Sequence, residues 1–137
     1  MSRENVERVR RGYEALSRGE LRPETFSAEF EVVEPSEQPG AETRYGSKGV
    51  RDSMTALSEA FEDFQFESEK FIDAGDSVVA LLTARGRGKG SGIVVERPVA
   101  HVWTFRGDEP VRLQIYLDRA QAMRAVGVSE QGGNIDS

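Results

Sequence analysis

His101 is the only histidine in the chain and there is no cysteine. Thiol nucleophiles, disulfide frameworks, thiolate zinc sites, iron–sulfur clusters and a histidine-only metal cluster are therefore excluded together. Proton transfer falls to His101, to the tyrosines and to the 24 carboxylates. His101 stands two residues before Trp103, and its near-neutral intrinsic pKa suits it to acid–base work in a pocket wall. The same pair also fits a satisfied structural histidine. Asp118, followed three residues later by Gln121, has the spacing of a capping box that opens a helix, which contributes about 1 kcal/mol with no catalytic role. Arg44 and Arg51 could bind a substrate carboxylate, although most of the 18 basic residues are arginine and belong at the surface. The glycine-rich run Gly86-Arg87-Gly88-Lys89-Gly90-Ser91-Gly92 is not a phosphate cradle. Lys89 is followed by Gly90 and then by a β-branched run, where a P-loop requires Ser or Thr and a helix. Positions 91 and 93, Ser91 and Ile93, break the dinucleotide spacing, and Gly90-Ser91-Gly92 lacks the spacing of a nucleophile elbow. That run reads as a hairpin tip or bulged strand end.

Those residues must be positioned by one domain, because 137 residues fall within the roughly 100–200 of a single unit. A net charge of −6 repels phosphate backbones and anionic bilayers, so neither nucleic acid nor a membrane is an expected partner. The first five residues carry no apolar signal-peptide core and no run approaches the ~20 apolar residues of a membrane span. A cytoplasmic location is the expectation.

Val6, Val9, Tyr13 and Leu16 recur at helical steps among charged residues, which predicts an amphipathic helix over 3–18 ended by Gly19. Pro23 opens a short helix through about Ala28, and Phe30–Glu34 reads as a strand stopped by Pro35. Residues 36–46 read as a loop. Ser47 is placed to cap a helix whose stripe is Val50, Met54, Leu57 and Phe61. Beyond Phe64 the pattern turns to aromatic and β-branched runs: strands over 64–72, 78–84, 93–105 (Pro98 marking a bulge or edge) and 111–117, with turns at 75–76 and 107–110. Asp118 then opens a last helix closed by Gly127, and 129–137 reads as a flexible tail.

This order, together with the segments Tyr13–Leu21, Val33-Glu34-Pro35, Tyr45–Arg51, Ala100–Phe105 and Tyr116-Leu117-Asp118, resembles the nuclear transport factor 2-like superfamily. Within it the chain looks like the SnoaL-like polyketide cyclase and ketosteroid isomerase group. The resemblance implies an α+β cystatin-like cone over residues 1–128, a curved antiparallel sheet wrapped around N-terminal helices. It implies no metal and no cofactor. Glu34, beside Pro35, matches the position of the isomerase base; a carboxylate at the rim of an apolar cavity loses hydration and can shuttle a proton on a bound enol. The alternative places Glu34 in a solvated acidic loop with Glu31, Glu37 and Glu42. Asp118 matches the aspartate that serves cyclases as a base. Tyr13 stands one residue after Gly12, which matches the family's oxyanion tyrosine, and Ala100 stands where its protonated aspartic acid would be. The catalytic candidates are thus Glu34, Asp118 and Tyr13.

Strand alternation leaves two readings of the pocket. Leu113, Ile115 and Leu117 share one face and are apolar enough to line it. If Ala100, Val102 and Thr104 also face inward, then His101, Trp103, Gln114 and Tyr116 form an outer surface suited to a homodimer interface. If the aromatic face is inward, His101 and Trp103 become pocket walls. The candidate ligand contacts are His101, Trp103, Val102, Leu113, Ile115 and Tyr116. The expected function is a pocket for a small apolar or ring-containing molecule, either a cofactor-free isomerase or cyclase using carboxylate chemistry or a non-catalytic binding dimer.

Overall fold

The computed structural model describes residues 2–127 and 134–136, with side chains described over 3–127. Helix α1 (Ser2–Ser17) leads through a 3-10 turn (Pro23–Thr25) to β1 (Glu31–Val33), β2 (Thr43–Tyr45) and α2 (Gly46–Ala60). The long strands β3 (Phe61–Ala74), β4 (Ser77–Gly88), β5 (Val94–Arg106) and β6 (Glu109–Tyr116) follow, then α3 (Arg119–Val126) and β7 (Asn134–Asp136). One curved, unclosed sheet runs in the order β2-β1-β6-β5-β4-β3-β7, antiparallel throughout except where β1 lies parallel to β6. This is the α+β architecture that the resemblance implies.

The register decides which face is inside. Across antiparallel strands, directly paired residues point to the same side. His101 pairs with Ala80 and Ile115, and Trp103 with Val78 and Leu113, so these six share one face. Val6, Val9 and Tyr13 of α1 pack on that face against Val78, Ala80, Leu82, Val99 and Phe105, and a neighbouring cluster joins Phe30, Val32 and Val50 to Trp103, Leu113 and Ile115. The aromatic face is therefore the inner one. Val102 pairs with Gln114, and Ala100 with Tyr116, on the opposite face. There Val79, Leu81, Ala100 and Val102 are covered by Ala122 and Met123 of α3, with Tyr116 packed alongside. His101 and Trp103 thus cannot share an outer surface with Gln114 and Tyr116, because one step along a strand reverses the face.

Several boundaries differ from the periodicity for local reasons. The segment after Pro23 makes only a 3-10 turn. Thr43–Tyr45, within the stretch expected to be loop, is drawn into the sheet by Glu31, Val32 and Val33 of β1. Ser47 does not cap α2. The cap residue is Tyr45, with no side-chain bond, and the helix starts at Gly46, whose φ of 68° and approach to the Ala28 carbonyl (3.2 Å from an added Cβ) both require glycine. Phe61 belongs to β3 rather than to the stripe of α2. Pro98 sits on an edge, since β6 pairs with β5 only from Ala100 onward. The glycine-rich run is a hairpin tip, as expected, with Gly90 and Gly92 at φ 86° and 70°. Of the expected tail, Asn134–Asp136 pair with β3, and the other residues of that stretch lie outside the described residues. Among the described residues no helix is long and apolar enough to cross a membrane.

Candidate functional site

Three polar groups meet beneath α1. Helical spacing that buries Val6 and Val9 also turns Tyr13 onto the sheet, where β5 presents His101 and Trp103 two residues apart on the same face. Trp103 Nε1 donates to the Tyr13 hydroxyl at 2.9 Å, and that hydroxyl lies 2.5 Å from His101 Nδ1. Indole can only donate, so the tyrosine oxygen accepts there, and a second hydrogen bond joins the same oxygen to Nδ1. Burial pushes His101 down to about 3, leaving the ring neutral at physiological pH. Burial also pushes the Tyr13 phenol up, against the smaller opposing effect of the Trp103 hydrogen bond. All three groups are therefore uncharged.

Beside this triad lies an apolar cavity of about 230 Å³ between α1, the 3-10 turn and the β5–β6 end of the sheet. Gly12, Tyr13 and Leu16 form one wall, Phe26, Trp103 and Phe105 the other, and Arg8 is the only charged side chain among its lining residues. Phe26, Phe30 and Trp103 lie roughly parallel, with centroids about 6 Å apart or less. On the far side of Leu16 a second cavity, about 340 Å³, is walled by Met54, Leu57, Phe64 and Phe66 with Asp63 at its edge. Phe66 sets its ring edge-on to His101 at 4.8 Å. Asp63 adopts φ 55°, where β3 slips register between Glu62 and Gln65.

The candidate residues divide by face and by partner. Tyr13, His101 and Trp103 are brought together. Leu113 and Ile115 share their face and pack on Phe30, Val32 and Val50. Val102 and Tyr116 do not join them and pack against α3 instead, for the register reason given above. Glu34 lines neither cavity. Its two oxygens are taken by Arg44 Nε at 3.0 Å and by the Glu42 backbone N–H at 3.2 Å, which ties together the β1–β2 hairpin. Arg44 is held there by Glu34 and Glu42. Asp118 accepts from the backbone N–H groups of Ala120 and Gln121 at the start of α3, on the sheet face away from both cavities. The capping reading is the one seen. Sequence reasoning missed Phe26, Phe105 and Arg8 as cavity residues. Phe105 shares a strand with His101 and Trp103, and Arg8 lies one helical turn before Gly12, so both had a periodic signal, whereas Phe26 in an irregular segment had none.

A search of curated proteins found no match. Among solved structures, a nuclear transport factor 2-like protein from Burkholderia thailandensis is 27% identical, covering 87% of this chain and 96% of its own, with a TM-score of 0.73. A nuclear transport factor 2-like protein of unknown function from Burkholderia pseudomallei is 23% identical over 89% and 96% of the two chains, at a TM-score of 0.71. TerC, crystallised with polyporic acid, is 19% identical over 90% and 98%, also at 0.71, and shows the shared fold. The family model of the SnoaL-like domain matches residues 9–113, which span α1 through most of β6, and the chain therefore belongs to the SnoaL-like domain family.

Proposed function

We propose that this protein binds a small apolar, ring-containing molecule in the cavity between α1, the 3-10 turn and β5. The observation that carries this reading is the cavity itself: about 230 Å³, walled by Tyr13, Phe26, Trp103 and Phe105, with the Trp103–Tyr13 hydrogen bond set in that wall. Apolar concavities with a few placed polar groups are the usual form of small-molecule sites. Carboxylate acid–base catalysis would rest on Glu34 and Asp118; both oxygens of Glu34 and Oδ1 of Asp118 accept from structural donors, and neither residue lines the cavity. That supports binding over a cofactor-free isomerase or cyclase. TerC, a relative in fold, was crystallised with polyporic acid, which is in keeping with a ring-containing ligand. A homodimer is part of the proposal, assembled through the sheet face that α3 leaves uncovered, where Thr104, Arg112 and Gln114 point.

The test uses Trp103, the only tryptophan, as an intrinsic reporter. Saturable changes in its emission with neutral aromatic compounds are expected, and the recovered compounds should be chemically unaltered. No saturable binding across such a panel would defeat the reading, and product accumulation that disappears in Glu34→Gln would restore the carboxylate enzyme in its place.

A further inference from the structure

Gly12 lies in the interior of α1, where glycine is the poorest helix former after proline. A helix retains glycine when φ is positive or when a neighbour comes too close for a Cβ. Neither condition holds at Gly12, which is not among the positive-φ residues and whose added Cβ would meet no heavy atom within 4 Å. Gly49 in α2 shows the contrast, since a Cβ there would come 2.9 Å from Arg44. The open space in front of Gly12 is the apolar cavity, of which it forms part of the wall.

We propose that Gly12 is a specificity-determining residue that holds this cavity open for the edge of a flat aromatic ligand, whose anionic oxygen is met by Arg8. The inference rests on the ligand-binding reading above and adds the ligand class. An apolar cavity of about 150 Å³ takes up benzene. The cavity here, about 230 Å³, leaves room for a ring and a substituent. Walls built from aromatic rings favour a flat guest, because rings stack or meet edge-to-face on each other. Arg8 is partly exposed; its guanidinium is positioned by Asn5 Oδ1 at 2.8 Å and lies 3.7 Å from the largely exposed Asp108 carboxylate. A guanidinium has five N–H donors, so further ones remain for a carboxylate on the guest.

Isothermal titration of the full chain with 2-naphthoate and with the neutral 2-naphthylmethanol tests this. Gly12→Ala should melt roughly 3–5 °C higher, because alanine is the better helix former. The same variant should bind both probes about tenfold more weakly, because its methyl group fills ligand space. Gly12→Leu should abolish both. Arg8→Gln should weaken 2-naphthoate about tenfold and leave 2-naphthylmethanol unchanged, as loss of a charge-assisted bond requires. If the wild-type chain binds the probes and Gly12→Ala binds them as well as wild type, the role of Gly12 is overturned while the binding reading stands. Equal loss of both probes in Arg8→Gln overturns the anionic assignment. Binding of neither probe by the wild-type chain overturns the binding reading and the inference with it.

Discussion

Tyr13 joins the helix to the sheet through a polar bond as well as through its ring. Replacing it with Phe would leave the Trp103 N–H without its acceptor and His101 Nδ1, which is buried, without its hydrogen-bond partner. Leaving buried groups unsatisfied costs about 1–3 kcal/mol. Tyr13→Phe should lower the free energy of unfolding by that amount in urea titration. His101 adds a pH dependence whose sign is fixed. Its folded-state pKa is about 3 against an ordinary 6.5, so below pH 6.5 the unfolded chain takes up a proton that the folded chain refuses. Stability is then complete above pH 6.5 and falls with acidification, by about 2 kcal/mol between pH 6.5 and 5. The carboxylates held low by their partners, Glu69 by Arg119 and Thr83 and Asp52 by Lys48, lose their contributions only at more acid pH. Urea midpoints across that window should drop in the wild-type chain and stay nearly flat in His101→Gln.

At the scale of elements, α3 and the β1–β2 hairpin do structural work away from the cavity. α3 is short, and its N-terminus is satisfied by Asp118 while Gly127 closes its C-terminus at φ 77°. Arg119 fastens it to the sheet through the carbonyls of Leu82 and Val99 and pairs with Glu69. Asp118→Ala should cost about 1 kcal/mol of stability by loss of the cap and leave aromatic-probe affinity unchanged, since α3 covers the opposite face. Glu34→Gln should also leave probe affinity unchanged while weakening the hairpin, which amide exchange of Thr43–Tyr45 would report as faster. A fall in probe affinity in either variant would place that residue at the ligand after all. These elements also show where sequence patterning reached. The stripe Val6, Val9, Tyr13 and Leu16 was readable because a helix repeats its face every three to four residues. The Asp118–Gln121 cap was readable because it is local. β2 was not, since Thr43–Tyr45 has no strand pattern of its own and is ordered by its partner β1.

For the molecule as a whole, the sheet has an inner face covered by α1 and α2 and an outer face that α3 covers in part, and the two differ in character. The inner face carries the aromatic and polar residues under α1 and α2, and the outer one is aliphatic beneath α3. Leu82 is completely buried where strands and helix meet, and truncation to alanine there should cost about 2–5 kcal/mol through lost burial and a residual cavity. The homodimer belongs to this scale too. Light scattering of the full chain should give twice the chain mass of 15.2 kDa, and a mass of one chain at all concentrations would remove the dimer from the proposal.

The sequence by itself determined the order of the long elements, though not β2 or β7, and with it the helix that must bury one stripe, the cap at Asp118 and the lack of cysteine that rules out thiol chemistry. Those depend on neighbours a few residues apart. Which side of β5 faces inward was decided only by the tertiary structure, because alternation fixes that His101 and Val102 oppose each other without fixing which one the helices cover. The partners of Glu34 were settled in the same way: Arg44 is ten residues distant along the chain and reaches the carboxylate only once β2 folds back on β1.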